Sequence, residues 1–216
     1  MFNFFSSAER LRNKTFNHLE KYSRPTLDFF LLTAVSSAII SIGLILDNAS
    51  VIIGGMVVAP LITPIFGFSL YLIVFNIKGL FRTLWSIFLG MLLAIATAFI
   101  IGHFTSIVYN DTFTTTYEII SRTKPDLLYF LVALLSGMVG SYAYARQNLS
   151  EKIVGIAISA AIVPPLSVVG LSLAQTNTTF TISSLTLFLI NLAGICLGSI
   201  LMFIFLGFGK EKENKS

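Results

Sequence analysis

Between Glu151 and Lys210 the only charged residue is Lys152, and between Asp28 and Lys78 the only one is Asp47. Nothing else in the chain restricts its fold as much. Each stretch exceeds the roughly 20 apolar residues that one bilayer crossing requires. Hydrophobic types make up 55% of the 216 residues and charged types 11%, against about 45–50% and about 25% in a soluble globular domain. So few charges cannot cover a water-facing surface, and the chain reads as an integral membrane protein. Its single cysteine, Cys196, excludes an intrachain disulfide framework, a multi-cysteine zinc site and an iron–sulfur cluster.

Polar breaks separate six apolar segments, at about 27–46, 50–75, 83–103, 127–145, 153–174 and 184–208. Each has the length of a spanning helix, and none has the apolar/polar alternation of a barrel strand. The fold class expected is all-α, with six transmembrane helices. The run Gln175-Thr176-Asn177-Thr178-Thr179 divides the last two segments and reads as a loop outside the hydrocarbon. With the amino terminus inside, twelve of the fourteen lysines and arginines are cytoplasmic, and only Arg122 and Lys124 lie outside. The positive-inside rule favours that orientation, in the inner membrane of a cell with both termini cytoplasmic. Reading segments two and five as re-entrant hairpins gives a poorer bias. The net charge of +4 therefore marks topology and calls for no nucleic-acid partner. Residues 1–26 form a cytoplasmic segment with Phe5, Ala8, Leu11, Phe16, Leu19 and Tyr22 on one helical face, suited to the headgroup plane. Residues 27–208 form the membrane domain and 209–216 a cytoplasmic tail.

The halves, about 27–103 and 127–208, resemble one another. The second segment carries Gly54-Gly55-Met56-Val57-Val58-Ala59-Pro60-Leu61-Ile62-Thr63-Pro64, and the fifth carries Ser159-Ala160-Ala161-Ile162-Val163-Pro164-Pro165-Leu166-Ser167. In each, small residues lead into a proline pair, and an acidic residue, Asp47 or Glu151, stands 13 positions before the first proline. With three spans per half, the halves enter from opposite sides and form a 3+3 inverted repeat, the arrangement of many secondary transporters. Proline inside a helix removes an amide and clashes with the carbonyl four residues earlier, at about 3 kcal/mol or more. The second and fifth helices are therefore expected to be broken. Half-helices starting after Pro64 and around Pro165 would both point amino termini at the midplane, where free amides and positive dipole ends favour an anion.

These motifs, Ser50 to Phe68 and Gly155 to Leu173, with Ser136-Gly137-Met138 ahead of the second, resemble the membrane domain of the domain of unknown function 389, or uncharacterised hydrophobic domain, family of prokaryotes. The resemblance covers roughly residues 27–208. It implies a six-span bacterial or archaeal membrane protein and supplies no substrate or mechanism.

The function expected is a secondary transporter or facilitator of a small, anionic or acceptor-rich solute, with or without a coupling ion. The binding residues expected are Gly54, Gly55, Pro60, Thr63, Pro64, Ser159, Pro164, Pro165 and Ser167, with Asp47 and Glu151 as candidates for coupling. An ion channel and a non-transporting assembly or stress module are the alternatives. No catalytic motif occurs, so no enzyme or cofactor is expected. His18 and His103 have no second ligand at metal-binding spacing. Asn191 suits a hydrogen bond between helices. Gly194 and Gly198 suit either close helix packing or an oligomer face, and a homo-oligomer is expected, with Cys196 between them packing only.

Overall fold

The computed structural model describes residues 25–109, 115–146 and 151–208. The amphipathic amino-terminal segment and the tail therefore fall outside the described residues, apart from residues 25 and 26. The described residues form helices and no strand: α1 Leu27–Ile45, α2 Ala49–Val58, α3 Ile62–Ile73, α4 Ile77–Tyr109, α5 Tyr117–Ser121, α6 Leu127–Arg146, α7 Glu151–Ala174 and α8 Thr178–Phe205. Of these, α1, α4, α6 and α8 are long and apolar enough to cross a bilayer, and α2 with α3 would be a fifth crossing, bent by 55°.

The helix boundaries follow from local chemistry. Thr26 caps α1 by accepting from the Phe29 amide, and Thr116 does the same for α5 from Ile119. Three corners share one construction. Asp47, Phe75 and Thr176 adopt left-handed backbone, with φ of 52°, 52° and 57°. The asparagine that follows each one sends its amide back to a carbonyl of the finished helix: Asn48 to Gly43, Asn76 to Tyr71 and Asn177 to Ser172, at 2.9–3.0 Å. The same asparagine then caps the next helix, accepting from Val51, Gly79 or Phe180. Each corner thus satisfies the orphan groups of two helix ends with two residues. The break assigned to Gln175–Thr179 is met by one of these corners, and α8 begins earlier than the 184 expected. For α4, Lys78 and Arg82 stay in the first turns rather than ending a loop at 83. Arg82 donates to the Tyr71 hydroxyl at 2.8 Å and lies over its ring.

The outer surface is apolar, unlike that of a water-soluble bundle, and the apolar core beneath it is interspersed with hydroxyls. Leu31, Val35, Phe81, Trp85, Leu128 and Leu135 are exposed, whereas Thr33, Ser36, Ser37, Ser41, Ser141 and Ser199 are buried. Exposed aliphatic and aromatic side chains all round, with hydroxyls within, suit hydrocarbon as solvent. Most buried hydroxyls bond the carbonyl four residues back, as Thr33 does to Phe29 and Ser141 to Gly137, so they enter the core at little cost.

The most extensive packing joins α6 to α8 and α4 to α7. A Cβ on Gly198 would stand 2.0 Å from the Leu134 carbonyl oxygen, and one on Gly194 would stand 2.8 Å from that of Phe130. The Gly194/Gly198 step is therefore consumed inside the chain, against α6. Its reading as an oligomer face is corrected; close packing is what it does. Phe66 stands between Tyr144 and Phe203 in edge-on contacts of 5.7 and 6.4 Å.

Candidate functional site

The second segment is interrupted, but not where Pro64 was expected to interrupt it. Helix α2 stops at Val58, the chain turns through Ala59, Pro60 and Leu61, and α3 begins at Ile62. Pro64 falls in the first turn of α3, where its missing amide had no intrahelical acceptor to lose. The fifth segment departs further from expectation. Helix α7 is continuous from Glu151 to Ala174 with Pro164 and Pro165 inside it. The expected fifth-helix break is corrected accordingly. Residues 162–170 are buried without exception, and this packing offsets the hydrogen bonds that the two prolines delete. One half-helix amino terminus, that of α3, therefore stands at the candidate site instead of two. Its N-cap residue, Leu61, supplies no side-chain hydrogen bond.

Two adjacent serines on α1 tie the motifs together. Ser36 donates to the Gly55 carbonyl on α2 at 2.8 Å. Ser37 donates to the Ala94 carbonyl on α4 at 2.7 Å and lies 3.3 Å from the Ser167 hydroxyl on α7. Because the Ser37 proton is committed to Ala94, the Ser167 hydroxyl is the donor to Ser37. Ser36, Ser37 and Ser167 all have 0% exposure, so these hydroxyls are sealed from solvent.

The expected site residues divide into groups. Gly55 is buried, and a Cβ there would meet Ile40 at 2.6 Å and the Ser36 carbonyl at 3.1 Å; Gly54 faces outward with nothing within 4 Å. Only Gly55 lets helices approach. Pro60 and Thr63 are half-buried, and Pro64, Pro165 and Ser167 are buried with Pro164. The side chains of Ser159 and Glu151 lie outside the described residues. Asp47 sits in the α1–α2 corner, where its carboxylate accepts from the Glu118 amide at 2.9 Å and so holds the start of α5. His103 is exposed and stacked on Phe99, and among the described residues no three His, Cys, Asp or Glu side chains converge.

Ser36 and Ser37 were missed by the sequence reading. Their signal was present: Thr33, Ser36, Ser37 and Ser41 follow the helical period within an apolar segment. What the sequence did not reveal is that Ser36 and Ser37, unlike their neighbours, reach across to other helices.

The architecture defines a class: among the described residues, an all-helical bundle with the apolar surface of a multi-pass membrane protein and one bent pair of short apolar helices, α2 and α3. Within that class the chain belongs to the family described as domain of unknown function (DUF389), whose model matches residues 56–197. It is also 29% identical over 196 residues to an uncharacterized protein of Methanocaldococcus jannaschii, covering 90% of this chain and 59% of that protein. The chain thus spans less than two thirds of this relative's length.

Proposed function

We propose that the chain is a secondary transporter or facilitator of a small solute, with six crossings arranged as a 3+3 inverted repeat. The observation that carries this reading is the 55° bend between α2 and α3, with the buried Ser36 hydroxyl on the Gly55 carbonyl of α2, since interrupted helices at bilayer depth persist where they line a site. The solute contacts Thr63 and the first amides of α3, which suit an anion or another acceptor-rich group at about half a positive charge of helix dipole. In α7, Pro164 and Pro165 leave the carbonyls of residues 160 and 161 without their usual donors, a setting for a coupling cation.

The repeat has support beyond the motifs. Pro64, Phe75, Asn76 and Ile95 each stand 101 positions ahead of Pro165, Thr176, Asn177 and Cys196. Phe75-Asn76 and Thr176-Asn177 are two of the three left-handed corners. In the same register Ser69 and Gly170 correspond. Ser69 on α3 donates to the Cys196 carbonyl on α8 at 3.4 Å. Gly170 on α7 faces the Ile95 carbonyl on α4, which a Cβ would approach to 2.4 Å. The middle element of each half thus packs on the last element of the other at equivalent positions, as a two-fold exchange of halves requires.

The experiment is uptake of small inorganic and carboxylate anions into vesicles containing the purified chain. Saturable flux of at least one anion is expected, weakened in Thr63→Ala and Ser167→Ala without loss of folded protein and unchanged in Cys196→Ala. Flux that is absent for every anion, or that survives both substitutions, refutes the assignment.

A further inference from the structure

The two proline motifs share a register but not a backbone. Leu61 lies in the turn between α2 and α3, while its equivalent 101 positions on, Ile162, is helical within α7. One motif is bent by 55° and the other runs on as a single helix. Composition does not explain the difference, since both carry two prolines behind small residues.

The hydrogen-bond inventory shows why either motif tolerates either form. A continuous α7 lacks the two intrahelical bonds that Pro164 and Pro165 cannot make, so bending there gives up neither of them, and the packing around residues 162–170 is what holds the present form. A straight α2–α3 would lose the bonds of Pro60 and Pro64 in the same way. In the observed arrangement Pro60 lies in a break and Pro64 in a first turn, where neither loses anything. Bending one motif while straightening the other therefore leaves the number of missing bonds unchanged.

We propose that the halves exchange these conformations: in the second state α7 bends ahead of Pro164, and α2 and α3 align as one helix. The exchange rests on the inverted-repeat reading above and goes beyond it by naming the element that changes. It also names a contact that is traded. Ser37 on α1 and Ser167 on α7, 3.3 Å apart, map in the 101-residue register onto Met138 on α6 and Phe66 on α3. In this structure Phe66 meets α6 at Tyr144; in the second state it meets Met138, and the Ser37–Ser167 contact is lost. The serine contact releases easily, because a freed helix hydroxyl can turn to the carbonyl four residues back, as Ser41 already does to Ser37.

The test uses the full chain in vesicles, in a Cys196→Ala background, with the pairs S37C/S167C and F66C/M138C under a mild oxidant. Each pair is expected to cross-link in part of the population, and a protein carrying all four cysteines is expected to form one disulfide or the other, never both. Adding P164A/P165A returns two hydrogen bonds to the continuous form of α7. It should drive S37C/S167C to completion and cut F66C/M138C by about tenfold or more, into the minor-state range. Because F66C could loosen the Phe66 cluster, the response of S37C/S167C to P164A/P165A is read separately in a protein that retains Phe66. The proposal is overturned if F66C/M138C never cross-links, if both disulfides form in one molecule, or if P164A/P165A leaves the S37C/S167C yield unchanged. Saturable flux without this exchange would sink the exchange alone, and exchange without flux would sink the transport reading alone.

Discussion

Replacing Gly198 by alanine should separate α6 from α8. The new Cβ would lie 2.0 Å from the Leu134 carbonyl oxygen, 2.9 Å from its carbon and 3.0 Å from the Met138 nitrogen. All three are backbone atoms, so no rotamer change can relieve the clash. An aliphatic carbon approaches a carbonyl oxygen to about 3.3 Å, so the helices must part or tilt by roughly 1 Å. A gap of that size forfeits a quarter to a half of each contact's 0.1–0.2 kcal/mol. Over roughly 25 atom pairs at a helix crossing this comes to about 1–2 kcal/mol, within the roughly 1–3 kcal/mol seen for overpacked cores. At about 2–4 °C per kcal/mol for a chain of this size, the midpoint of thermal unfolding in mild detergent should fall by roughly 2–8 °C. Gly137→Ala, whose Cβ meets the Ile195 oxygen at 2.3 Å, should cost nearly as much, and Gly194→Ala, at 2.8 Å, less. Gly54→Ala, with nothing within 4 Å, should be neutral or stabilising by up to about 1 kcal/mol. If all four variants melt together, the α6–α8 crossing is not as close as described. If Gly198→Ala changes the particle mass and not the midpoint, the glycines serve a second copy after all.

Other outcomes follow from the polar contacts. Ser36→Ala removes the bond to Gly55 and should lower stability by about 0.6 kcal/mol and at most about 1.7, the range for hydrogen bonds between membrane helices; denaturant titration reads it, and an increase would refute the contact. Asn76→Ala and Asn177→Ala each remove a cap worth about 1 kcal/mol, so equal losses of unfolding midpoint are expected, and an unaffected Asn177→Ala would argue against the shared corner. For topology, a cysteine at Thr123 should react with an impermeant maleimide from outside the cell and one at Lys78 only after permeabilisation. The reverse pattern at either site would overturn the orientation.

Much of the helical layout was legible because apolar length and charge spacing act locally. The spans begun at Leu27 and Leu127 were read to within a residue, as charge and proline stand just outside them. The early start of α4 was hidden by Lys78 and Arg82, which look like loop residues until Tyr71 is seen beneath the guanidinium. Pro64 and the Pro164-Pro165 pair were over-read for a related reason. The cost of a helical proline depends on whether its amide had an acceptor and on what packs around it, and neither is local in sequence. The hydroxyls show the same limit from the other side. Thr33, Ser36, Ser37 and Ser41 look alike in a sequence, yet Thr33 and Ser41 bond their own helix while Ser36 and Ser37 hold three other helices in place. The Gly-x-x-x-Gly step was legible as a close-packing surface, but the partner that fills it, α6, became evident only in three dimensions.

The three-residue corners bear on how the chain is made. A helix pair joined by so short a turn can enter the bilayer as a hairpin soon after synthesis, since closing it costs little chain entropy. The α3–α4 and α7–α8 pairs are of this kind. The Ser37 hydroxyl, by contrast, finds its partners 57 and 130 residues further along, so its second bond cannot close until α7 has left the ribosome. Nascent chains halted before Ser167 should therefore hold protease-resistant α3–α4 hairpins and the Ser36–Gly55 and Ser37–Ala94 bonds, and the Ser37–Ser167 contact would be among the last to form during biogenesis.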